Sequence, residues 1–178
     1  MRTMSRVLTI ITGFAAVPLT SLALAQAPVS ALKGHNPDAP IDVAADRIEV
    51  QDRADRAVFA GNVHVRQAEL TLDTTRLTVA YSSAGSIQIR RLDASGGVTV
   101  KSPSETARGD FGIYDLDRKL ITLIGAVQLN RSGSQVNGQR LTIDLNSGRA
   151  VVDGGPAGVG QSGGRVTGHF TVPKRGNQ

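Results

Sequence analysis

The stretches FAGNVHV (residues 59–65), ASGGVTV (94–100) and LIGAVQL (123–129) share one frame, a small or apolar residue followed by Gly-x-Val-x-Val/Leu. Alternation of this kind sends every second side chain to one face of an extended backbone, a period of two that belongs to strands rather than helices. It runs almost end to end. Ile41 and Val43, then Ile48 and Val50, open the series, and Ala57, Phe59, Gly61, Val63 and Val65 line one face after them. Leu70 and Leu72, then Leu77, Val79 and Tyr81, then Ile87 and Ile89, continue it, as do Val98 and Val100, and Tyr114 and Leu116. Ile121, Leu123, Gly125, Val127 and Leu129 follow, and Val136 with the trio Leu141, Ile143 and Leu145 closes it. Polar or turn-forming groups at 52–55, 82–85, 102–104 and 146–148 separate the runs. Many short strands, each with one apolar face and little helical period between them, predict an all-β chain, an antiparallel sheet folded over itself as a sandwich, barrel or jelly roll.

The alternation is also written twice. Placing Gly61 on Gly125 superposes Val63 on Val127, Val65 on Leu129, Leu72 on Val136, Arg76-Leu77-Thr78 on Arg140-Leu141-Thr142 and Val79 on Ile143 without a gap, which marks an internal repeat. Both copies share an odd step, Leu72 to Leu77 and Val136 to Leu141, so a bulge or tight turn must intervene if both ends of the step face inward. Glycine recurs at 61, 96 and 125, where a larger inward residue is expected. A strand glycine marks a bend or the close approach of another group, and both readings stay open here.

The flanks read differently. Arg2 and Arg6 precede an apolar run from Val7 to Ala16, and Ala23-Leu24-Ala25 follows, so residues 1–25 are expected to be a cleaved secretory signal. Thr9, Thr12, Gly13, Pro18, Thr20 and Ser21 interrupt the run, against the ~20 apolar residues of a spanning helix. Residues 26–39 read as a flexible lead-in, 40–153 as one domain, 154–164 as a Gly-rich loop, and 165–178 as a last strand and polar tail. Cleavage would leave 18 Lys and Arg against 15 Asp and Glu, a mildly basic chain of net charge +3.

Little reactive chemistry accompanies this pattern. There is no Cys, hence no disulfide frame or thiolate site, and His35, His64 and His169 have no metal spacing. Asp46, Glu49, Asp52, Asp55 and Asp73 fall at turns or outward positions, and no Gly-x-Ser-x-Gly is present. Neither a catalytic constellation, a cofactor nor a metal is expected. Scattered basic residues and 3% aromatics argue against nucleic acid. Arg47, Arg76, Lys101, Arg108 and Arg140 could meet anionic lipid groups at the mouth of a groove, or simply discourage unwanted edge pairing.

PIDVAADRIEV, FAGNVHV, TRLTVAY, IYDLDRKLITLIGAVQL and VNGQRLTIDL, in this order and behind the signal-like segment, closely resemble the LptA (OstA-like) family of lipopolysaccharide-transport proteins, from about Pro40 to Asp153. The resemblance implies a long, twisted, V-shaped jelly roll with open edges, located in the periplasm. Its apolar interior would hold the acyl chains of lipopolysaccharide. Such domains would join head to tail, to an LptC-like inner-membrane protein at the N-terminal edge and an LptD-like outer-membrane protein at the C-terminal edge. By motif, Ile41, Val43, Val100, Tyr114 and Leu116 correspond to lining positions. Alternation adds Phe59, Val63, Val65, Leu72, Leu77, Val79, Leu123, Val127, Leu129, Val136, Leu141 and Ile143, each of which would serve equally as plain core. The competing reading is a bactofilin-like structural β-polymer with a solid core and no ligand, although the uneven spacing of Gly61, Gly96 and Gly125 does not suit the constant period of a solenoid.

Overall fold

The structure, a computed structural model, describes residues 32, 35–83, 85–155 and 164–171. The expected signal segment lies outside them, as do most of the lead-in, most of the Gly-rich loop and the end of the tail. Among the described residues ten antiparallel strands follow one another: β1 Ile41–Ala44, β2 Arg47–Gln51, β3 Arg56–Gln67, β4 Leu70–Ser82, β5 Gln88–Lys101, β6 Glu105–Asp115, β7 Leu120–Arg131, β8 Ser134–Asp144, β9 Arg149–Asp153 and β10 Thr167–His169. One short 3₁₀ turn, Asp52–Ala54, occupies the polar cluster before β3. Ile87, expected to share a strand with Ile89, precedes β5 and is exposed, because the β4–β5 turn has not yet ended there.

Strands β3 to β8 pair in sequence order, and each is long enough to belong to two leaves. At one end β1 pairs with residues 64–67 of β3 while β2 pairs with residues 56–60 of the same strand. At the other end β10 pairs with 135–137 of β8 and β9 with 140–144. One leaf therefore runs from β2 to β9, and the other from β1 to β10. The last short strand, placed after the Gly-rich loop by sequence, docks on β8.

The leaves meet along a row of register shifts that crosses the sheet. On β3, β5 and β7 the row is a pair of residues with positive φ, Gly61-Asn62, Gly96-Gly97 and Gly125-Ala126. On β4, β6 and β8 it is a single unpaired residue facing such a pair, namely Thr75, Asp110 and Gln139. Bulges of this type bend a strand and re-aim its side chains. The inward face accordingly changes parity, from Leu70 and Leu72 to Leu77 and Val79 on β4, which explains the odd step in both repeats. We refer to this row as the spine.

The side chains turned inward by the bend form one continuous cluster. Leu77, Leu123, Leu141 and Ile143 are fully buried in one leaf, Val63, Val98 and Val127 in the other. Burial of a Val or Leu side chain contributes about 1.5–3 kcal/mol. Without disulfides, this cluster and the backbone ladders hold the fold together.

Candidate functional site

The candidate site is the space between the two inner faces. Of the lining positions read from the sequence, Val63, Val65, Leu77, Val79, Val100, Tyr114, Leu123, Val127, Leu141 and Ile143 belong to the buried cluster. Ile41, Val43, Phe59, Leu72, Leu116 and Leu129 are partly buried and pack against it. Val136 is half-buried and lies outside the cluster, because it sits on β8 under β10 near the end of the leaf. Leu92, Ala94 and Ala107 complete the core and carry the same alternation on β5 and β6.

The sequence led us to expect an open trough, and the leaves instead touch. An apolar cavity between Val65, Leu92, Val100, Tyr114 and Leu123 holds about 20 Å³, room for roughly one water molecule. Leu77, Leu141 and Ile143 from one leaf and Val63, Val98 and Val127 from the other are fully buried in the same cluster.

The expected basic rim is also differently placed. Arg76, Arg108 and Arg140 point outward beside the spine, at the closed edge of the fold, because the register shifts fall next to them. Arg47 is exposed on β2 and bonds Glu49. Lys101 is the member of this group nearest the open edge, and it bonds Asp73 at 3.0 Å. The Asp73 carboxylate also accepts from the His64 ring at 2.7 Å, and these partners hold its pKa below the ordinary value, with the His64 bond the largest cause.

Opposite the spine, at the mouth, the packing becomes polar. Gln67 follows Val63 and Val65 on the inward face at the end of β3, and is 3% exposed. The Tyr114 hydroxyl reaches across from the other leaf and donates to Gln67 Oε1 at 3.0 Å. Gln67 Nε2 donates to the carbonyl oxygens of Pro37 at 2.8 Å and Ala39 at 3.0 Å. The buried His35 ring lies 3.1 Å from Gln67 Oε1 and 3.2 Å from Glu69 Oε1. The described part of the lead-in is thus packed, and Leu32 joins the core at 2% exposure. Alternation from Val65 could have revealed Gln67, whereas no local signal marks Leu32 as buried.

Burial pushes the Tyr114 phenol up to about 12, with the Asp38 carboxylate adding to the rise and the bond to Gln67 opposing it. A raised acid favours folding while it stays protonated. Its contribution is therefore complete below the reference value of 10.0 and is lost as the pH climbs toward about 12, an effect of roughly 3 kcal/mol. The chain has two tyrosines, so phenolate absorbance should show a late step coincident with unfolding, and Tyr114→Phe should abolish that step.

No group of three or more His, Asp or Glu able to hold a metal occurs among the described residues. What the site offers is a long pair of apolar faces, hinged at the spine and latched at the mouth. The family model described as LptA/(LptD N-terminal domain) LPS transport protein matches residues 42–149, the region that builds both leaves. The chain belongs to this family. An uncharacterized protein of Rhizobium meliloti (strain 1021) is 32% identical over 152 residues, covering 80% of this chain and 82% of that one. The fold is also that of LptH, the LptA homologous periplasmic component of the conserved lipopolysaccharide transport device from Pseudomonas aeruginosa. The match has a TM-score of 0.66 at 19% identity and covers 76% of this chain and 98% of that one. Each long strand of this LptA-like chain supplies an inner face to both leaves, which explains why apolar alternation stands on both sides of each spine residue pair.

Proposed function

We propose that this protein carries lipopolysaccharide through the periplasm, holding its acyl chains between the two leaves and passing them along a bridge of like domains. The observation that carries this reading is the continuous apolar lining of both leaves, joined by the strands that run through the spine and facing each other across the mouth. A lipid tail entering there replaces leaf-to-leaf contact with leaf-to-tail contact, so little apolar surface need meet water as the walls part. Each buried methylene contributes ~0.8 kcal/mol, about 10 kcal/mol for a chain of a dozen carbons before ordering costs.

The free edges support the bridging half of the proposal. Among the described residues no strand covers the outer side of β1, β2, β9 or β10, and Ile48 and Val50 on β2 are exposed. Unpaired edges of this kind are templates for strand addition. An LptC-like partner would add at the β1/β2 end and an LptD-like partner at the β9/β10 end, with copies of this chain joining head to tail between them.

The filled interior favours the rival reading, a ligand-free structural polymer. Native mass spectrometry of the protein recovered from its own envelope separates the two. A mass increment of lipid A size is expected, and a protein that stays bare would sink the carrier reading.

A further inference from the structure

The lead-in segment that the alternation left unexplained occupies the mouth of the site with three kinds of group at once. Leu32 places an aliphatic side chain in the core between the leaves. The carbonyl oxygens of Pro37 and Ala39 both accept from the Gln67 amide, which is nearly inaccessible and stands at the edge of the apolar lining. The Asp38 carboxylate lies 3.4 Å from Lys119 Nζ, on the β6–β7 turn of the opposite leaf. An aliphatic group, carbonyls and an anion, set in that order from the interior to the rim, are the chemical parts of a phosphorylated, acylated lipid.

We propose that Leu32 and residues 35–39 act as a strap that mimics the lipid and seals the lipid-free mouth, and that Gln67 is the residue that receives the carbonyl of an acyl linkage once the strap swings out. This rests on the carrier reading above. A buried amide is costly to leave without partners, so Gln67 in an open, empty site would be penalised. With the strap in place its donors are satisfied, its oxygen accepts from Tyr114, and His35 is fixed against it and Glu69. Departure of the strap frees two N–H donors beneath the mouth and the Lys119 ammonium at the rim. The incoming lipid satisfies both. Strap and lipid then compete for one set of partners, and the protein alternates between a latched empty form and an open loaded one.

Hydrogen–deuterium exchange on the full chain with and without lipid A tests the exchange of places. The amides of His35 and Ala39, bonded to the carbonyls of Leu32 and Asn36 in the closed form, should exchange at least tenfold faster once lipid A is bound. Unchanged protection in a protein that carries a lipid A adduct by mass spectrometry would overturn the strap and leave the carrier reading intact. Absence of any adduct would overturn both. Leu32→Ser, which loosens the strap and leaves every residue of both leaves unchanged, should tighten lipid A binding severalfold, and weaker or unaltered binding by the folded variant counts against competition. Gln67→Met should cut the preference for a fatty acyl ester over an alkane of equal length by about fivefold, the value of one neutral hydrogen bond. A retained preference would remove Gln67 from the role. If Gln67→Met does not fold, Gln67→Glu, which keeps the oxygen facing Tyr114 and exchanges the donor amide for an acceptor, must show the same loss of preference.

Discussion

Val127→Asp is expected to leave the chain unfolded at neutral pH. Val127 is the first residue after the Gly125-Ala126 bulge, is 1% exposed, and faces the aliphatic cluster shared by both leaves. A carboxylate there would have to shed its hydration among Val, Leu and Ile side chains, at a cost of several kcal/mol, which rivals the whole stability of a domain at about 5–15 kcal/mol. Protonation lowers the cost, so part of the structure should return near pH 4, where an ordinary carboxyl is about half neutral. Far-UV circular dichroism with urea titration at both pH values gives the measurement. A native urea midpoint at neutral pH would mean that water reaches this wall and that the leaves are not sealed. Because the variant acts on folding, it cannot report on lipid binding alone, and the mild strap and Gln67 variants serve that purpose.

Gly96→Val should cost about 3–5 kcal/mol, against about 1–2 kcal/mol for Gly97→Ala one residue later. Both glycines have positive φ, 88° and 83°, and both substitutions carry the backbone penalty of a left-handed L-residue. Part of the difference is the β-branched Val side chain at positive φ, and the rest lies in the surroundings. A Cβ on Gly96 would fall on the Thr75 hydroxyl, which bonds the carbonyl oxygens of Ser95 at 3.2 Å and Gly96 at 3.3 Å, whereas nothing lies within 4 Å of a Cβ on Gly97. Urea midpoints of the two variants measure the gap. Equal losses would show that backbone conformation alone fixes the spine, and that strand-to-strand contact across it contributes little.

At the spine both readings of the glycines hold, because the same residues bend the strands and admit a neighbouring side chain close to the backbone. Gly61 and Gly125 each lie against an Asp carboxylate, from Asp46 and Asp110 respectively, so a larger residue has no room on the outer side either. The pairing of Asp46 with Gly61 and Asp110 with Gly125 follows the same offset as the internal repeat, a spacing present in the sequence itself. Asp46 also accepts from the Asn62 side chain at 2.9 Å and donates its own N–H to the Gly61 carbonyl at 2.9 Å, tying the N-terminal edge to the bend.

Alternation, repetition and turn residues are local, covalently ordered properties, so the amino-acid sequence by itself determined that this chain would be all strand, which side chains would face inward, and that both halves would bend at equivalent points. The ordered motifs placed it in its family. It did not determine how close the inner faces come, which way Arg76, Arg108 and Arg140 point relative to the mouth, or that Leu32, His35 and Gln67 converge there. Those depend on distances between residues far apart in the chain, set by the angle at the spine and by the volume of the side chains that meet across it. A period of two says which face a residue occupies and nothing about what stands opposite, and only the folded sheet could show that each inner wall faces the other leaf, with Leu32 buried in the cluster between them.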